Sequence, residues 1–440
     1  MEIFIKVVQL LLSLSILVIF HEMGHFIAAK LFKTRVEKFY LFFDPWFSLF
    51  KYKKGETEYG IGWLPLGGYV KISGMIDESM DTEQMKQAPQ PWEFRSKPAW
   101  QRLIIMLGGV TVNLILAIVI YILMLMAWGE QYLPTSSLKY GISVDSTGYQ
   151  MGLRNGDNIV SIDNKVVDDF AAIPKTLVLE EAKTIQLSRD GQRISIDIPK
   201  GFISKLIKYK STDFLSFRFP FVVSSFSAGA PASRAGMMKD DRIIGLNDTL
   251  RPYFSEFRKA QQVYKNKEVM VTVLRGKDTL KLKVNIPSTG LIGVYSKPPT
   301  DFLDFKEKSY NGFTAIPAGV VKAFEGVGNY IKSIKLLFSQ EKAYESVGGF
   351  IAIGSIFPST WDWEAFWHLT AFLSIMLAVL NVLPIPALDG GHVMFLLYEI
   401  IFRRKPSDKF IEYAQIVGMV LLFGLLIFAN GNDVMNLFRK

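Results

Sequence analysis

The sequence predicts a polytopic α-helical membrane protein, with four transmembrane helices and two β-rich domains inserted between helices 2 and 3. Three observations predict it. Residues 3–29, 103–128, 366–388 and 411–429 are each apolar over the roughly 20 residues that a helix needs to cross a bilayer core. About 170 residues of ordinary soluble character separate the second run from the third. Within that segment a sequence pattern recurs at a constant offset of 84 residues, from Met151 to Ala235 onward.

The first run, assigned to a helix over 1–30, does not read as a cleaved leader. No small-residue cleavage site follows it, and the chain continues into His, Glu and Lys. The connection that follows, 31–100, belongs to a stretch (30–102) with twelve Lys or Arg against nine Asp or Glu. The short connection after the third run carries Arg403, Arg404, Lys405 and Lys409. Positive charge marks cytoplasmic loops, so both termini and the inserted segment are expected on the outer face. The net charge of +9 is moderate and no basic cluster is interleaved with aromatics, so nucleic acid is not an expected partner. With no cysteine, neither disulfides nor thiolate ligands are available.

In the inserted segment, Met151-Gly152-Leu153-Arg154-Asn155-Gly156-Asp157 and the strand after it match Ala235-Gly236-Met237-Met238-Lys239-Asp240-Asp241 and its strand. Each copy continues into alternating strands that end in Ile-Pro. The pattern resembles bacterial PDZ domains, small peptide-binding modules. The expectation is two PDZ-like domains, over 133–220 and 221–297, with Asp240 standing where that pattern has Gly. Residues 311–339 are amphipathic at helical period, as a helix on the membrane surface or one packed on the β-rich pair would be.

The first span contains His21-Glu22-Met23-Gly24-His25. Residues four apart share a helix face, so His21 and His25 can hold one Zn2+ while Glu22 reaches a water beside it. A charged side chain in mid-bilayer costs on the order of 3 kcal/mol or more, and a cation between the imidazoles offsets it. A catalytic zinc takes three protein ligands, so one more must come from elsewhere. The third span ends in the polar, helix-breaking run Asn381-Val382-Leu383-Pro384-Ile385-Pro386-Ala387-Leu388-Asp389-Gly390-Gly391-His392, in which both Asp389 and His392 are chemically able to serve.

HExxH in one span and N-x-x-P-x-x-x-L-D-G in a later one resemble the site-2 protease family of intramembrane zinc metalloproteases. Tandem PDZ-like modules between spans two and three point to its branch that regulates the sigma-E response. The likeness extends to Glu58-Tyr59, to Pro65-Leu66-Gly67-Gly68-Tyr69-Val70-Lys71, to Gln101-Arg102 and Asn113, and to Phe428-Ala429-Asn430. It implies Asp389 as the third zinc ligand and Glu22 as the general base, and it gives His392 no metal role; His392 reads as interfacial, and His368, beside Trp367 at the start of the third span, as a membrane-interface residue. It also implies location in a bacterial inner membrane, with the active site near the cytoplasmic side.

The substrates implied are single-pass membrane proteins such as anti-sigma factors already trimmed by another protease, and remnant signal peptides. A helical substrate shields its own carbonyls, so it must be unwound. Residues 58–71, including Gly67, Gly68 and Tyr69, read as a hairpin whose edge pairs with the extended substrate. Asn381, loosened by Pro384, reads as a donor to the freed backbone. Two features depart from the family pattern: Phe42-Phe43-Asp44 replaces Gly-x-Gly, and Gly109-Val110 replaces Gly-Pro. The competing reading is a catalytically silent membrane-tethered PDZ protein, whose mark would be loss of the base; Glu22 is present. A secreted soluble zinc protease is opposed by the three further apolar runs.

Overall fold

A computed structural model describes residues 2–65, 67–75, 87–208, 214–340 and 343–438. The chain divides into two units, Met1–Gly129 with Ser309–Lys335 and Val347–Lys440, and Glu130–Lys308 with Leu336–Ser346.

In the first unit, the described residues include four helices long and apolar enough to cross a membrane: Glu2–Leu31, Ala99–Ala127, Trp363–Val382 and, within Asp408–Phe438, Lys409–Asn436. Glu2 in the first turn and Lys30 in the last suit the helix dipole of the first. Small residues let it cross the second closely. A Cβ added to Gly24 would lie 2.2 Å from the Gly108 carbonyl oxygen, and one on Gly108 would lie 2.5 Å from that of Gly24.

The third helix differs from the single span expected over 366–388. It stops at Val382, because Leu383 precedes a proline and is extended (φ −58°, ψ 140°). After a turn through Pro384 and Pro386, with Ala387 at φ 78°, a separate helix Asp389–Phe402 begins. Glycines permit the fold-back: a Cβ on Gly390 would sit 2.1 Å from the Leu383 oxygen, and one on Gly391 2.7 Å from that of Ile385. The amphipathic pattern at 311–339 forms the helix Gly312–Ser339. Its part within the first unit packs on the second and third long helices. Gly319 abuts Ile122, Gly326 abuts Ile375, and Ala323 is buried with Ala117, Tyr121 and Ala371.

Between the first two long helices lies a sheet of β1 (Val36–Leu41), β2 (Phe43–Lys54), β3 (Thr57–Leu64) and β4 (Tyr69–Ile72), in the order β2-β3-β1-β4. This corrects the hairpin expected at 58–71. The hairpin is β2-β3, turning at Gly55, while β3 and β4 both pair with β1, parallel and antiparallel respectively. Leu66 lies outside the described residues, as do 76–86 of the same connection.

In the second unit the two matching stretches build the same local structure. Strands Asn158–Ile162, Thr184–Arg189 and Gln192–Asp197 correspond to Arg242–Leu246, Lys267–Arg275 and Asp278–Ile286, with the same pairing order. Asp157 accepts from Arg189 and from the Arg154 backbone N–H, as Asp241 does from Arg275 and Met238, all at 2.8 Å. Arg189 and Arg275 then reach the carbonyls of Gly152 and Gly236. Asp240 sits 84 residues after Gly156, and both have positive φ (70° and 94°); Asp tolerates that region through its short polar side chain. The first core includes Phe219 and the second Phe221. Two features were not legible in advance: Leu303 returns to the first core, and Lys306–Lys308 pairs with Glu130–Tyr132.

Asp157 is buried, so Asp157→Ala strands the Arg154 N–H and the Arg189 guanidinium. It is expected to lower the stability of the first core by on the order of 2 kcal/mol. Burial alone would raise the Asp241 carboxyl, but its Arg275 and Met238 hydrogen bonds hold it below the usual range. A depressed native pKa contributes stability above the unfolded value and loses it as pH falls through the lower native one. Amide protection over 221–296 should therefore fall below roughly pH 4, and Asp241→Asn should weaken that pH dependence, leaving the part due to Asp240 and its Lys297 partner. Hydrogen exchange on the full chain reads both effects.

Candidate active site

Two elements bring three side chains together. His21 and His25 lie one turn apart on the first long helix, and Asp389 opens the helix that follows the Pro-rich turn. His21 Nε2 and His25 Nε2 are each 3.3 Å from Asp389 Oδ2 and 3.3 Å from each other. Asp389 Oδ2 is buried and makes no hydrogen bond. These three atoms form an equilateral triangle. Around an ion with four tetrahedral ligands at about 2.0 Å, any two ligand atoms stand about 3.3 Å apart, so the triangle is one face of a zinc-sized tetrahedron. The donor set of two imidazoles and a carboxylate suits zinc, and it is the metal-ligating group of His and acidic residues found among the described residues.

Glu22 shares this pocket. Its carboxylate lies within electrostatic reach of His21, His25 and Asp389, and it accepts a hydrogen bond from the Val70 backbone. Strand β4 makes that contact possible. A Cβ on Gly68 would fall 2.6 Å from both the Tyr40 oxygen and Val18 Cγ1, and 3.5 Å from Glu22 Cγ, so only glycine lets the strand approach the helix here. Tyr69 stacks on Tyr40 and Phe43, and its hydroxyl donates to Asp44 Oδ1 at 2.8 Å. Burial and the Asp44 carboxylate push that hydroxyl's pKa well above its ordinary value, so it stays a donor. Phe42-Phe43-Asp44 thus braces β4. Gly67 faces the Phe43 ring rather than the triangle.

Asn381, in the last turn of the third long helix, is buried with Nδ2 3.4 Å from His21 Nε2. Pro384 belongs to the turn that places Asp389 beside it. His392 lies apart from the triangle, with Nε2 3.1 Å from Gln415 Nε2, and His368 packs edge-on to Tyr121.

The second long helix supplies what motif reading missed. Its Ile105 carbonyl is 2.9 Å from His25 Nδ1, and Asn113 Nδ2 is 3.1 Å from His21 Nδ1. Gly109 leaves the room: a Cβ there would sit 2.4 Å from His25 Nε2 and 2.6 Å from His21 Cε1. The adjacent glycines Gly108-Gly109 inside an apolar run were the available signal for this crossing.

The family model for peptidase family M50 matches residues 9–425. The chain belongs to peptidase family M50. This is the site-2 protease family, and the protein is accordingly a zinc metalloprotease with several membrane helices. Similar proteins share its full extent. One from Campylobacter jejuni, named as a zinc metalloprotease, is 27% identical over 433 residues, covering 98% of this chain and 93% of the other. One so named from Treponema pallidum is 25% identical over 458 residues, covering 99% and 100%. One so named from Vibrio cholerae is 26% identical over 458 residues, covering 97% of each.

Proposed function

We propose that this M50 metalloprotease hydrolyses peptide bonds inside the membrane segments of single-pass proteins, with zinc held by His21, His25 and Asp389 and Glu22 as the general base. The observation that carries this reading is the 3.3 Å triangle, built on apolar helices with Glu22 beside it. Bound there, zinc supplies Lewis acidity that acidifies a water and polarises the scissile carbonyl. Glu22 takes the water proton on a carboxylate oxygen and passes it to the leaving nitrogen as the C–N bond breaks and a C–O bond replaces it.

The chain's remaining groups handle the substrate. Among the described strands β4 pairs on one side only, with β1, so its other edge is open to an unwound substrate strand beside Glu22. Gly67, Gly68 and Tyr69 set that edge. The Asn381 amide, at the helix end released by Pro384, donates to the freed substrate backbone. Main-chain pairing of this kind accepts varied sequences, as a protease acting on many membrane segments requires.

The wider setting is part of the same reading. The enzyme sits in a bacterial inner membrane, with termini and inserted β-rich modules on the periplasmic side and the site toward the cytoplasm. Its substrates are anti-sigma-factor-like proteins trimmed first by another protease, and remnant signal peptides, in envelope stress signalling. In vesicles, a panel of single-pass substrates should be cut within the membrane segment. Cleavage should stop on chelation and return with zinc; a panel that stays intact, or cuts only outside the bilayer, sinks the reading.

The two PDZ-like modules, about 25 Å across each by the size rule for domains, are proposed to exclude substrates with bulky outer domains. Replacing residues 134–294 by a flexible linker should let untrimmed substrates be cut while trimmed ones remain good. If trimmed substrates are then cut poorly and untrimmed ones stay resistant, the modules activate by binding the trimmed end instead.

A further inference from the structure

We propose that Asn113 is a positioning residue for the metal centre, its side-chain oxygen accepting the Nδ1–H of His21 and so holding the Nε2 lone pair toward zinc. This rests on the ligand assignment above. With Nε2 of His21 at a corner of the triangle, its lone pair must point there, and a neutral imidazole then carries its hydrogen on Nδ1. The group 3.1 Å from that Nδ1 is Asn113 Nδ2, which also carries hydrogens, while Asn113 Oδ1 is buried and without a partner. Two donors facing each other beside an idle acceptor mark an amide whose oxygen and nitrogen belong the other way round. Turned by 180°, the amide meets the Nδ1–H with an acceptor.

Two further observations support this. His25 is held in the same way from the same helix: its Nδ1 lies 2.9 Å from the Ile105 carbonyl oxygen, which can only accept. Residues 105 and 113 are eight apart, about two turns, so one helix face presents both acceptors to two histidines one turn apart. Asn113 is also fixed in place, being fully buried, with its backbone oxygen taking a 2.8 Å hydrogen bond from Ser374 Oγ on the third long helix. An acceptor on the outer nitrogen of a ligating histidine fixes ring orientation and raises ligand basicity, and removing one costs about 10–100-fold in metal affinity.

The test measures zinc dissociation constants of the full-length protein in detergent, by competition with a chelator, for the wild type and for Asn113→Leu, Asn113→Asp and His21→Ala. Leu keeps the volume and loses the acceptor; Asp keeps the acceptor. An orienting acceptor predicts that Asn113→Leu weakens zinc binding about 10–100-fold while Asn113→Asp binds at least as tightly as wild type. A residue that only fills space predicts the reverse, since Leu packs well and a buried carboxylate does not, and that result overturns the proposal. Should Asn113→Leu not fold, Asn113→Asp decides: affinity at or above wild type supports the role, and weaker affinity rejects it. His21→Ala separates the two layers. If it binds zinc like wild type, the ligand set fails and takes this inference with it; if it loses zinc while Asn113→Leu does not, only the role of Asn113 fails.

Discussion

Glu22→Gln is expected to reduce cleavage by roughly 10²–10⁴-fold, the usual value of a positioned general base, while the protein keeps its zinc. Gln has nearly the shape of Glu and can still accept from the Val70 backbone, so the β4 contact survives. What it lacks is a carboxylate oxygen able to take a proton and return it to the leaving nitrogen. The triangle of Nε2, Nε2 and Oδ2 is untouched, because Glu22 contributes none of its corners. Metal analysis and a cleavage assay on the same preparation read both halves. Near-normal cleavage would overturn the assigned base; loss of zinc along with activity would make Glu22 part of the metal's support instead.

Asp389→Asn is expected to weaken zinc binding by on the order of 100-fold or more, beyond the 10–100-fold that outer partners command, and to lose activity with it. A neutral amide is a poor ligand for zinc, and the buried Oδ2 is the one corner that carries a full negative charge. His392→Ala should retain zinc to within about twofold of wild type, since His392 Nε2 lies against Gln415 and His392 is not part of the His21–His25–Asp389 group. Reversed results for the two variants would make His392 the third ligand.

The HExxH spacing determined from sequence alone which two histidines share a helix face and which acid lies beside them, because helical geometry is local. The four apolar runs were legible for the same reason: length and composition decide whether a helix can cross a bilayer. The duplicated Asp157 and Asp241 turns were readable because each carboxylate caps backbone three residues away.

What the sequence left open depended on contacts between distant segments. It offered both Asp389 and His392 on residue chemistry; the fold-back permitted by Gly390 and Gly391 is what turns Asp389 alone to the two imidazoles. It read a hairpin at 58–71, but β-pairing joins segments by register and burial, and β1 intervened between β3 and β4. It gave the amphipathic period of 311–339 without its partner, which Gly319 and Gly326 decide by close approach to Ile122 and Ile375. Asn113 stood in the sequence only as a point of likeness to the family, with no role attached. Its place beside His21 follows from Gly24 meeting Gly108, a crossing of two helices that only the folded chain brings within hydrogen-bond distance.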